Sequence, residues 1–157
     1  MKTIAVHLRS ETASHRKRPF SRIESLSDSD AKRLKALSAQ LSPEAQFDAR
    51  SLREAIRKGS TMVFVLRHRS RIVASATAVR YVSPTGEHCH IEDVVVDERM
   101  RGMGLGREIM EKTLDALRAM NVSCIELTSR PSRVAARALY RSLGFKPRKT
   151  NVFELRF

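Results

Sequence analysis

The segment from residue 94 to residue 120 constrains the fold of this chain more than any other part of the sequence. It begins with a valine-rich run, passes through glycines at 102, 104 and 106, and continues into an amphipathic stretch. This order predicts a buried strand, a tight turn and a helix. The glycines remove the Cβ atoms that would keep a ligand away from the backbone, and the first turn of a helix presents unpaired N–H groups and a partial positive charge. The segment is therefore typical of a turn that binds phosphate.

The residues around the last glycine distinguish this turn from two better-known phosphate loops. A P-loop ends in Gly-Lys followed by Ser or Thr, whereas Gly106 is followed by Arg107 and Glu108. A dinucleotide-binding fingerprint needs its third glycine where Arg107 stands, and it usually follows the first strand of a domain. What remains is Arg-x-x-Gly-x-Gly after a valine-rich strand, and this resembles the pyrophosphate-binding motif of the GNAT acetyltransferase superfamily.

A second segment makes this resemblance more specific. Residues 131–145 read as a helix that carries Ala136 and, four residues later, Tyr140, and that closes with Gly144 and Phe145. This looks like the later GNAT motif. Two motifs in the right order are more specific than one, and together they cover about residues 88 to 157. The chain is identified by them as a member of the GNAT superfamily.

The rest of the chain alternates between segments with strand-like and helix-like patterns. The patterns predict strands at residues 20–26, 61–67, 72–82, 88–96 and 123–128, and a final strand in which Phe153, Leu155 and Phe157 alternate. They predict helices at residues 31–41, 49–58, 107–120 and 132–143. We therefore expect an α/β fold with a mixed, mostly antiparallel sheet of about six to seven strands flanked by about four helices. In the GNAT fold, which this order resembles, the strand before the glycine turn splays from the next strand and leaves a slot for the pantetheine arm.

Length and composition indicate one small domain. The 157 residues suffice for a single core, so we expect a basic N-terminal arm over residues 1–19 and one GNAT domain over residues 20–157. No apolar run has the length of a membrane span or a signal peptide. The two cysteines, Cys89 and Cys124, form neither a disulfide framework nor a zinc pattern. These features predict a cytoplasmic protein without contact to a membrane.

The net charge of +13 is compatible with two kinds of partner. Basic surfaces bind nucleic acid through its phosphates, but they also attract coenzyme A. A nucleic-acid-binding module would place aromatic residues among the basic ones, whereas the six phenylalanines and two tyrosines here lie mostly in apolar patterns. This argues against nucleic acid as the partner. A non-catalytic acyl-CoA-binding domain stays open as a further alternative, since it would keep the glycine turn.

The resemblance implies acetyl-CoA as the cosubstrate. The pantetheine arm would run along the strand residues Val94, Val95 and Val96 and pair with the backbone of the first and third. The pyrophosphate would be held by the amides of the turn, which comprises Arg101, Gly102, Met103, Gly104, Leu105 and Gly106. Arg133, Arg137 and Arg141 recur at a spacing of four, which is typical of a solvated helix face. As the alternative, Arg133 or Arg137 would meet the adenosine 3′-phosphate, which suits an arginine fork. Family members often have asparagine where this chain has Arg133.

Acetyl transfer from a thioester to an amine needs a deprotonated amine and a proton for the departing thiolate. The resemblance makes Tyr140 the donor of that proton. Glu92 and Asp93 are candidates for the base, because a carboxylate in a dry slot can have its pKa raised. Strand alternation predicts that they point to opposite faces, so that only one of them faces a given pocket. We prefer Glu92, with proton transfer through water or a backbone carbonyl as the alternative.

The run His88-Cys89-His90 invites a metal-binding interpretation, which strand geometry opposes. The two histidines share one face of the predicted strand and the cysteine takes the other, so three converging ligands are not available and we expect no metal. The resemblance implies direct acetyl transfer to a primary amine of an unidentified acceptor, either a small molecule or a peptide or protein. In the GNAT fold the segment between the first two helices, here residues 40–48, normally shapes the acceptor pocket. The basic surface of this chain favours neutral or anionic acceptors. A homodimer is compatible with the resemblance, because dimers are common in the family.

Overall fold

The computed structural model of the protein describes residues 18–155. Within these residues five strands, four α-helices and one short 3₁₀ turn follow one another along the chain. In chain order they are β1 (Phe20–Arg22), α1 (Asp28–Leu41), α2 (Ala49–Arg57), β2 (Thr61–His68), β3 (Arg71–Ser83), β4 (Gly86–Val96), the 3₁₀ turn (Glu98–Met100), α3 (Leu105–Ala119), β5 (Ile125–Leu127) and α4 (Val134–Ser142).

The strands form one sheet in the order β1-β2-β3-β4-β5. The first three pairs are antiparallel and β4 pairs with β5 in parallel, so the predicted mixed, mostly antiparallel α/β architecture is confirmed. The sheet has five strands within the described residues, fewer than the six to seven predicted. Arg69 and Ser70 join β2 to β3 with φ of 48° and 64°, the left-handed geometry of a tight two-residue hairpin turn.

The sheet is covered by helices on both faces. On β2, Met62, Phe64 and Leu66 pack into the cluster that contains α3, while Val63 and Val65 pack into the cluster that contains α1 and α2. Because successive side chains of a strand point to opposite faces, a strand covered on both sides needs an almost continuous apolar sequence. β2 has such a sequence, and its position near the middle of the sheet follows from it.

The first helix begins three residues earlier than its apolar pattern predicts. The hydroxyl of Ser27 accepts a hydrogen bond from the N–H of Asp30 at 3.1 Å, which makes Ser27 the N-cap. Asp28 and Asp30 then lie in the first turn, where acidic side chains interact favourably with the helix dipole. The helix buries Leu34 and Leu37 against the sheet.

Two predicted strands differ from the structure. The first ends at Arg22 rather than at residue 26, because Ile23 and Leu26 turn into the core beside α1. The predicted final strand is wrong for Phe153 and Leu155, which are 91% and 77% exposed and lie outside the sheet; Phe157 is outside the described residues. Alternating apolar residues predict a strand, but a strand also needs a neighbouring edge with which to pair.

The predicted N-terminal arm lies outside the described residues except for Arg18 and Pro19. The Arg18 guanidinium lies 3.7 Å from the Glu108 carboxylate on α3, and the Pro19 carbonyl accepts a hydrogen bond from the N–H of Arg67 at 3.0 Å. Among the described helices, none combines the length and apolar character that a membrane crossing requires.

Candidate active site

A cleft opens where β4 and β5 separate. Their pairing ends at Ile91 and Leu127, although β4 continues to Val96. The cleft beyond this point has a volume of 530 Å³, and its walls include Glu92, Asp93 and Val94 from β4, Ser129 after β5, and Arg133 and Tyr140 of the α4 region. The splayed strands expected from the resemblance are therefore present.

A β-bulge at the cleft changes the direction of the side chains on β4. Thr77 pairs with Glu92 and Ser75 pairs with Val95, so that two residues of β4 oppose one residue of β3. Asp93, within the bulge, has a φ of 49°, a left-handed conformation that aspartate adopts more readily than most residues. The bulge breaks the alternation of the strand. The prediction that Glu92 and Asp93 face different pockets is therefore wrong, since both line the cleft.

Asp93 also borders a second, smaller pocket. This pocket has a volume of 220 Å³ and lies between α1, α2, residues 42–48, and strands β2 and β3. Surrounding protein desolvates the Asp93 carboxyl and raises its pKa, while the positive charge of Arg133 acts in the opposite direction. Glu92, in contrast, is half exposed and lies 3.3 Å from Nε2 of His90. The structure thus favours Asp93 over Glu92 as the carboxylate between the two cavities.

Tyr140 lines the same cleft as Asp93 and packs against a residue that follows the end of its own helix. Its ring packs edge-on against Phe145 with a centroid distance of 6.0 Å. Burial raises the pKa of the Tyr140 phenol, and the charge of Arg133 only partly offsets this. The phenol is therefore protonated at neutral pH and able to donate a proton into the cleft.

The glycine turn follows β4 directly. Gly102 and Gly104 have φ of 77° and 76°, and Gly104 is the N-cap of α3 without a side-chain hydrogen bond. Within residues 18–155, the backbone N–H groups of residues 102–107 have no acceptor. A Cβ at Gly104 would meet no protein atom within 4 Å. The turn therefore presents free amide donors and open space at a helix N-terminus, as predicted.

The other residues of the turn fix its position. Leu105 is buried in the core, and Gly106 lies next to α4, where a Cβ would make ordinary van der Waals contact with Leu139 at 3.5 Å. The Nε of Arg101 donates to the Val96 carbonyl at 3.4 Å, while the side chain of Met103 is about half exposed. The turn is thus anchored at its helical end and open toward solvent at its tip.

Comparison with known proteins decides the family. The sequence model that describes the Acetyltransferase (GNAT) family matches residues 23–145. This chain belongs to the GNAT family. The prediction made from the glycine turn and the second motif is confirmed.

Individual relatives of this GNAT chain are similar to it in sequence over short stretches, or similar in fold at low sequence identity. It is 44% identical over 52 residues to a mycothiol acetyltransferase of Beutenbergia cavernae, a match covering 33% of this chain and 18% of the relative. It is 42% identical over 53 residues to the [ribosomal protein bS18]-alanine N-acetyltransferase of Escherichia coli K12, covering 34% of this chain and 36% of the relative. A predicted acetyltransferase of Clostridium acetobutylicum, solved with acetyl-CoA, has the same fold with a TM-score of 0.68 at 16% identity, covering 88% of this chain and 95% of that one. The GNAT chain spans between 18% and 51% of the length of the curated relatives that it matches.

Two arginines of the GNAT chain flank Tyr140 on different sides. Nη2 of Arg133 donates to the Leu41 carbonyl at 2.8 Å, which ties the start of α4 to the end of α1 inside the cleft. Arg137 lines a neighbouring groove of 480 Å³ and its Nη1 lies 3.4 Å from the Pro131 carbonyl. Contact of either arginine with the adenosine 3′-phosphate stays a prediction. The structure adds that Arg133 already has a protein partner.

The candidate metal ligands point to different partners. Cys89 is buried, His88 stacks on Tyr81 and lies 3.1 Å from the Ser83 hydroxyl, and His90 lies beside Glu92. In the part of the chain that the structure describes, no group of three His, Cys, Asp or Glu side chains comes together around a common point.

Sequence reasoning missed the ion pair that supports the glycine turn. Asp97, buried directly before the turn, pairs with Arg33 of α1, accepts a hydrogen bond from the N–H of Arg99 at 3.1 Å, and donates its own N–H to the Val73 carbonyl at 2.8 Å. Arg33 also donates to the Ile72 carbonyl at 2.7 Å.

Sequence reasoning also missed Ser75 and Thr77, which line the smaller pocket. Their signal was available, since they alternate as small polar residues in the otherwise apolar first half of β3. Polar side chains at alternate positions of a buried strand share one face, where they can line a cavity.

We predict that Gly104→Ala weakens acetyl-CoA binding by at least about tenfold, or about 1.4 kcal/mol, because the new Cβ projects from the turn into open space. The positive φ should also destabilise the variant by about 1 kcal/mol, lowering Tm by about 2–4 °C. Gly59→Ala is the matched control, since Gly59 has φ of 74° and the same open surroundings at the end of α2. Calorimetric titration with acetyl-CoA should show weaker binding for Gly104→Ala alone. Equal affinities of the two variants would contradict the assignment of the turn.

Proposed function

We propose that this protein is an acetyl-CoA-dependent N-acetyltransferase that transfers the acetyl group directly to a primary amine. The observation that carries the proposal is that Asp93 and Tyr140 line one cleft, which opens at the end of the strand leading to the glycine turn. The candidate base and the candidate acid thus line one cleft, and the glycine turn follows the same strand along the chain. Acetyl transfer from a thioester to an amine requires a deprotonated amine and a proton for the departing thiolate, and the turn would hold the cosubstrate.

The cosubstrate would lie along β4 and the turn. The N–H of Asp97 donates to β3, and successive backbone groups of a strand point to alternate sides, so the N–H of Val96 points away from β3 toward the cleft. Val94 lines the cleft itself. The pantetheine amides would pair with this free strand edge, and the free N–H groups of residues 102–106 would bind the pyrophosphate.

Asp93 would remove a proton from the acceptor ammonium. Its raised pKa makes the carboxylate a stronger base than an ordinary aspartate, and its place between the cleft and the smaller pocket puts it next to an amine entering from that pocket. The neutral amine then attacks the thioester carbonyl carbon, forming a C–N bond and a tetrahedral intermediate. The guanidinium of Arg133 in the same cleft contributes positive charge near the developing oxyanion.

Tyr140 would complete the reaction. Collapse of the intermediate breaks the C–S bond, and the phenol donates its proton to the departing thiolate. The nitrogen gives up two protons, the first to Asp93 before attack and the second to solvent as the intermediate collapses, while Tyr140 gives one proton to the thiolate. Asp93 then releases its proton to solvent and Tyr140 takes one up, so that one proton is released per turnover. No covalent enzyme intermediate is needed, because donor and acceptor react directly.

Tyr140→Phe tests this proposal. The variant keeps the ring that packs on Phe145 and loses only the phenol, so we expect the rate of thiol release with an amine panel to fall about 100-fold. Acetyl-CoA should still raise Tm by as much as in the unchanged protein. Tyr81→Phe is the control, since the chain has only two tyrosines and Tyr81 lies outside the cleft, stacked on His88.

The same assay separates the alternatives. Stabilisation by acetyl-CoA without thiol release from any amine would indicate a non-catalytic acyl-CoA-binding domain. Stabilisation by an oligonucleotide and not by acetyl-CoA would indicate a nucleic-acid-binding module. Unchanged turnover in Tyr140→Phe would remove this residue from the mechanism.

A further inference from the structure

The smaller pocket next to Asp93 has a composition unlike the rest of the protein. We call it the acceptor pocket; it is the 220 Å³ cavity between α1, residues 42–48, α2 and strands β2 and β3. The whole chain has 30 Lys and Arg against 17 Asp and Glu. The lining of the acceptor pocket, in contrast, contains Asp48 and Asp93 and no lysine or arginine. The lining of this cavity is therefore acidic although the protein as a whole is basic, and this favours a cation as the ligand.

The two carboxylates differ in their roles. Asp48 is the N-cap of α2 and accepts hydrogen bonds from the N–H groups of Arg50 and Ser51 and from the Ser51 hydroxyl, at 2.9, 3.1 and 2.6 Å. It is therefore fixed in place and contributes negative charge at the pocket wall. Asp93, which also borders the cleft, is the carboxylate that can meet the reacting ammonium group.

The body of the pocket is apolar. Leu34 and Val63 form part of its wall and are 5% and 1% exposed, and Phe47 and Leu52 pack against the same cluster. A second charge on the ligand would have to lose its water against these side chains, which is costly. The other carboxylate of the lining, Asp48, is already engaged by three hydrogen bonds from the start of α2. The polar groups on the β3 side are the hydroxyls of residues 75 and 77. They could orient a ligand, but they do not balance a full charge.

The volume limits the size of the ligand. At 220 Å³ the pocket is smaller than the ~300–1,000 Å³ typical of sites for drug-sized ligands. It therefore suits a small ligand, and a much larger one would protrude into the cleft.

We propose that the acceptor pocket selects a compact monoamine, with its ammonium group beside Asp93 and an uncharged, largely apolar body against Leu34, Phe47 and Val63. This inference rests on the proposed function and names the class of acceptor for it. Anionic acceptors, which the average surface charge would favour, are repelled by Asp48 and Asp93. Diamines and polyamines are disfavoured by the apolar wall.

Three amines of equal carbon-chain length test whether the pocket accepts a ligand with a second charged group. Pentylamine carries one ammonium group, 1,5-diaminopentane adds a second, and 5-aminopentanoate adds a carboxylate. With saturating acetyl-CoA, thiol release should give a kcat/KM for pentylamine at least about tenfold above that for either charged analogue. Equal or higher kcat/KM for the diamine or the amino acid would overturn the inference.

Two variants with opposite effects test the size of the pocket. Phe47→Ala should enlarge the pocket and favour a bulkier amine, phenylbutylamine. We expect the ratio of kcat/KM for phenylbutylamine to kcat/KM for pentylamine to increase about tenfold. Ala45→Leu, at an exposed position on the pocket wall, should raise the KM for pentylamine and leave the KM for acetyl-CoA unchanged.

The control for the enlarged pocket is Phe153→Ala. It removes the same side chain as Phe47→Ala, but from a 91% exposed site outside the pocket, and it should leave the ratio between the two amines unchanged. Unaltered preferences in both pocket variants would place the acceptor elsewhere.

Failure of the inference and failure of the proposed function give different results. Thiol release with other amines but not with pentylamine would overturn the acceptor class and leave the acetyltransferase proposal intact. If no amine releases thiol, calorimetric titration of the protein with pentylamine alone remains as a binding test. Binding that weakens in Asp93→Asn would support the pocket even then, and the absence of binding would overturn it.

Discussion

Asp93→Asn is expected to lower the rate of acetyl transfer about 100-fold or more, because a general base typically contributes ~10²–10⁴ to the rate. The same change is expected to leave Tm unchanged or slightly higher. Desolvation raises the pKa of Asp93, so its ionised form is disfavoured in the folded protein, and this destabilisation is present at neutral pH. Asparagine removes the charge and also tolerates the left-handed backbone at this position, where φ is 49°.

The control for Asp93→Asn is Glu92→Gln. Glu92 is the neighbouring carboxylate in the same cleft, but it is half exposed and lies beside His90. We expect a small effect from Glu92→Gln, and a loss as large as that of Asp93→Asn would restore Glu92 as the base. The kcat/KM measured for the unchanged protein should fall as the pH drops through the raised pKa of Asp93, and Asp93→Asn should lack this acidic limb. Persistence of the limb in the variant would contradict the assignment.

Asp97→Asn is expected to reduce the free energy of unfolding by about 3 kcal/mol and Tm by about 6–12 °C. Asp97 and Arg33 form an ion pair in which the side chains are only 9% and 11% exposed. Asparagine can still accept the hydrogen bond from the N–H of Arg99, so the variant mainly leaves the Arg33 guanidinium buried without a counter-charge. Thermal unfolding at neutral pH measures the effect. Glu24→Gln, which breaks the exposed pair of Glu24 with Arg22, should leave Tm unchanged.

The pH dependence of this effect has a defined sign. Burial raises the pKa of Asp97, but the hydrogen bonds from Arg99 and Arg33 and the charges of Arg33 and Arg71 outweigh burial and hold the pKa below its usual value. A depressed pKa stabilises the fold above the pKa of the unfolded chain, about 3.9 for aspartate. This contribution is lost as the pH falls below that value. The difference in stability between the unchanged protein and Asp97→Asn should therefore be constant between about pH 5 and 7 and shrink in more acidic solution.

A double variant separates the ion pair from the packing around it. In Arg33→Met/Asp97→Asn no unpaired charge remains, so the loss should be clearly smaller than the sum of the two single losses. Additive losses would show that the pair contributes through packing and hydrogen bonds alone.

The local elements of the glycine-turn region could be predicted because neighbouring residues determine them. The buried strand, the positive φ of Gly102 and Gly104, and the free helix N-terminus each follow from residue types within a few positions. The hairpin turn at Arg69 and Ser70 was predictable for the same reason. The start of α1 is also set locally, by the capping Ser27, which lies four residues before the first apolar position of the helical pattern.

The segment predicted as the final strand could not be assigned correctly from its own residues. Residues 153 to 157 alternate like a strand, yet within the described residues this segment joins no sheet edge, and Phe153 and Leu155 are exposed. Alternation reports the character of the side chains. It contains no information about whether an edge is free to pair.

The sequence alone thus determined the family, the glycine turn at a helix N-terminus and the strand before it, since periodicity and glycine positions are properties of short segments. Only the tertiary structure decided which carboxylate borders both cavities, because the bulge at Asp93 depends on the register between β3 and β4. It also brought together Arg33 with Asp97 and Leu41 with Arg133, which lie 64 and 92 residues apart in the chain. Cavities and buried ion pairs form where distant segments meet, and the energy of these contacts depends on packing that no short segment contains.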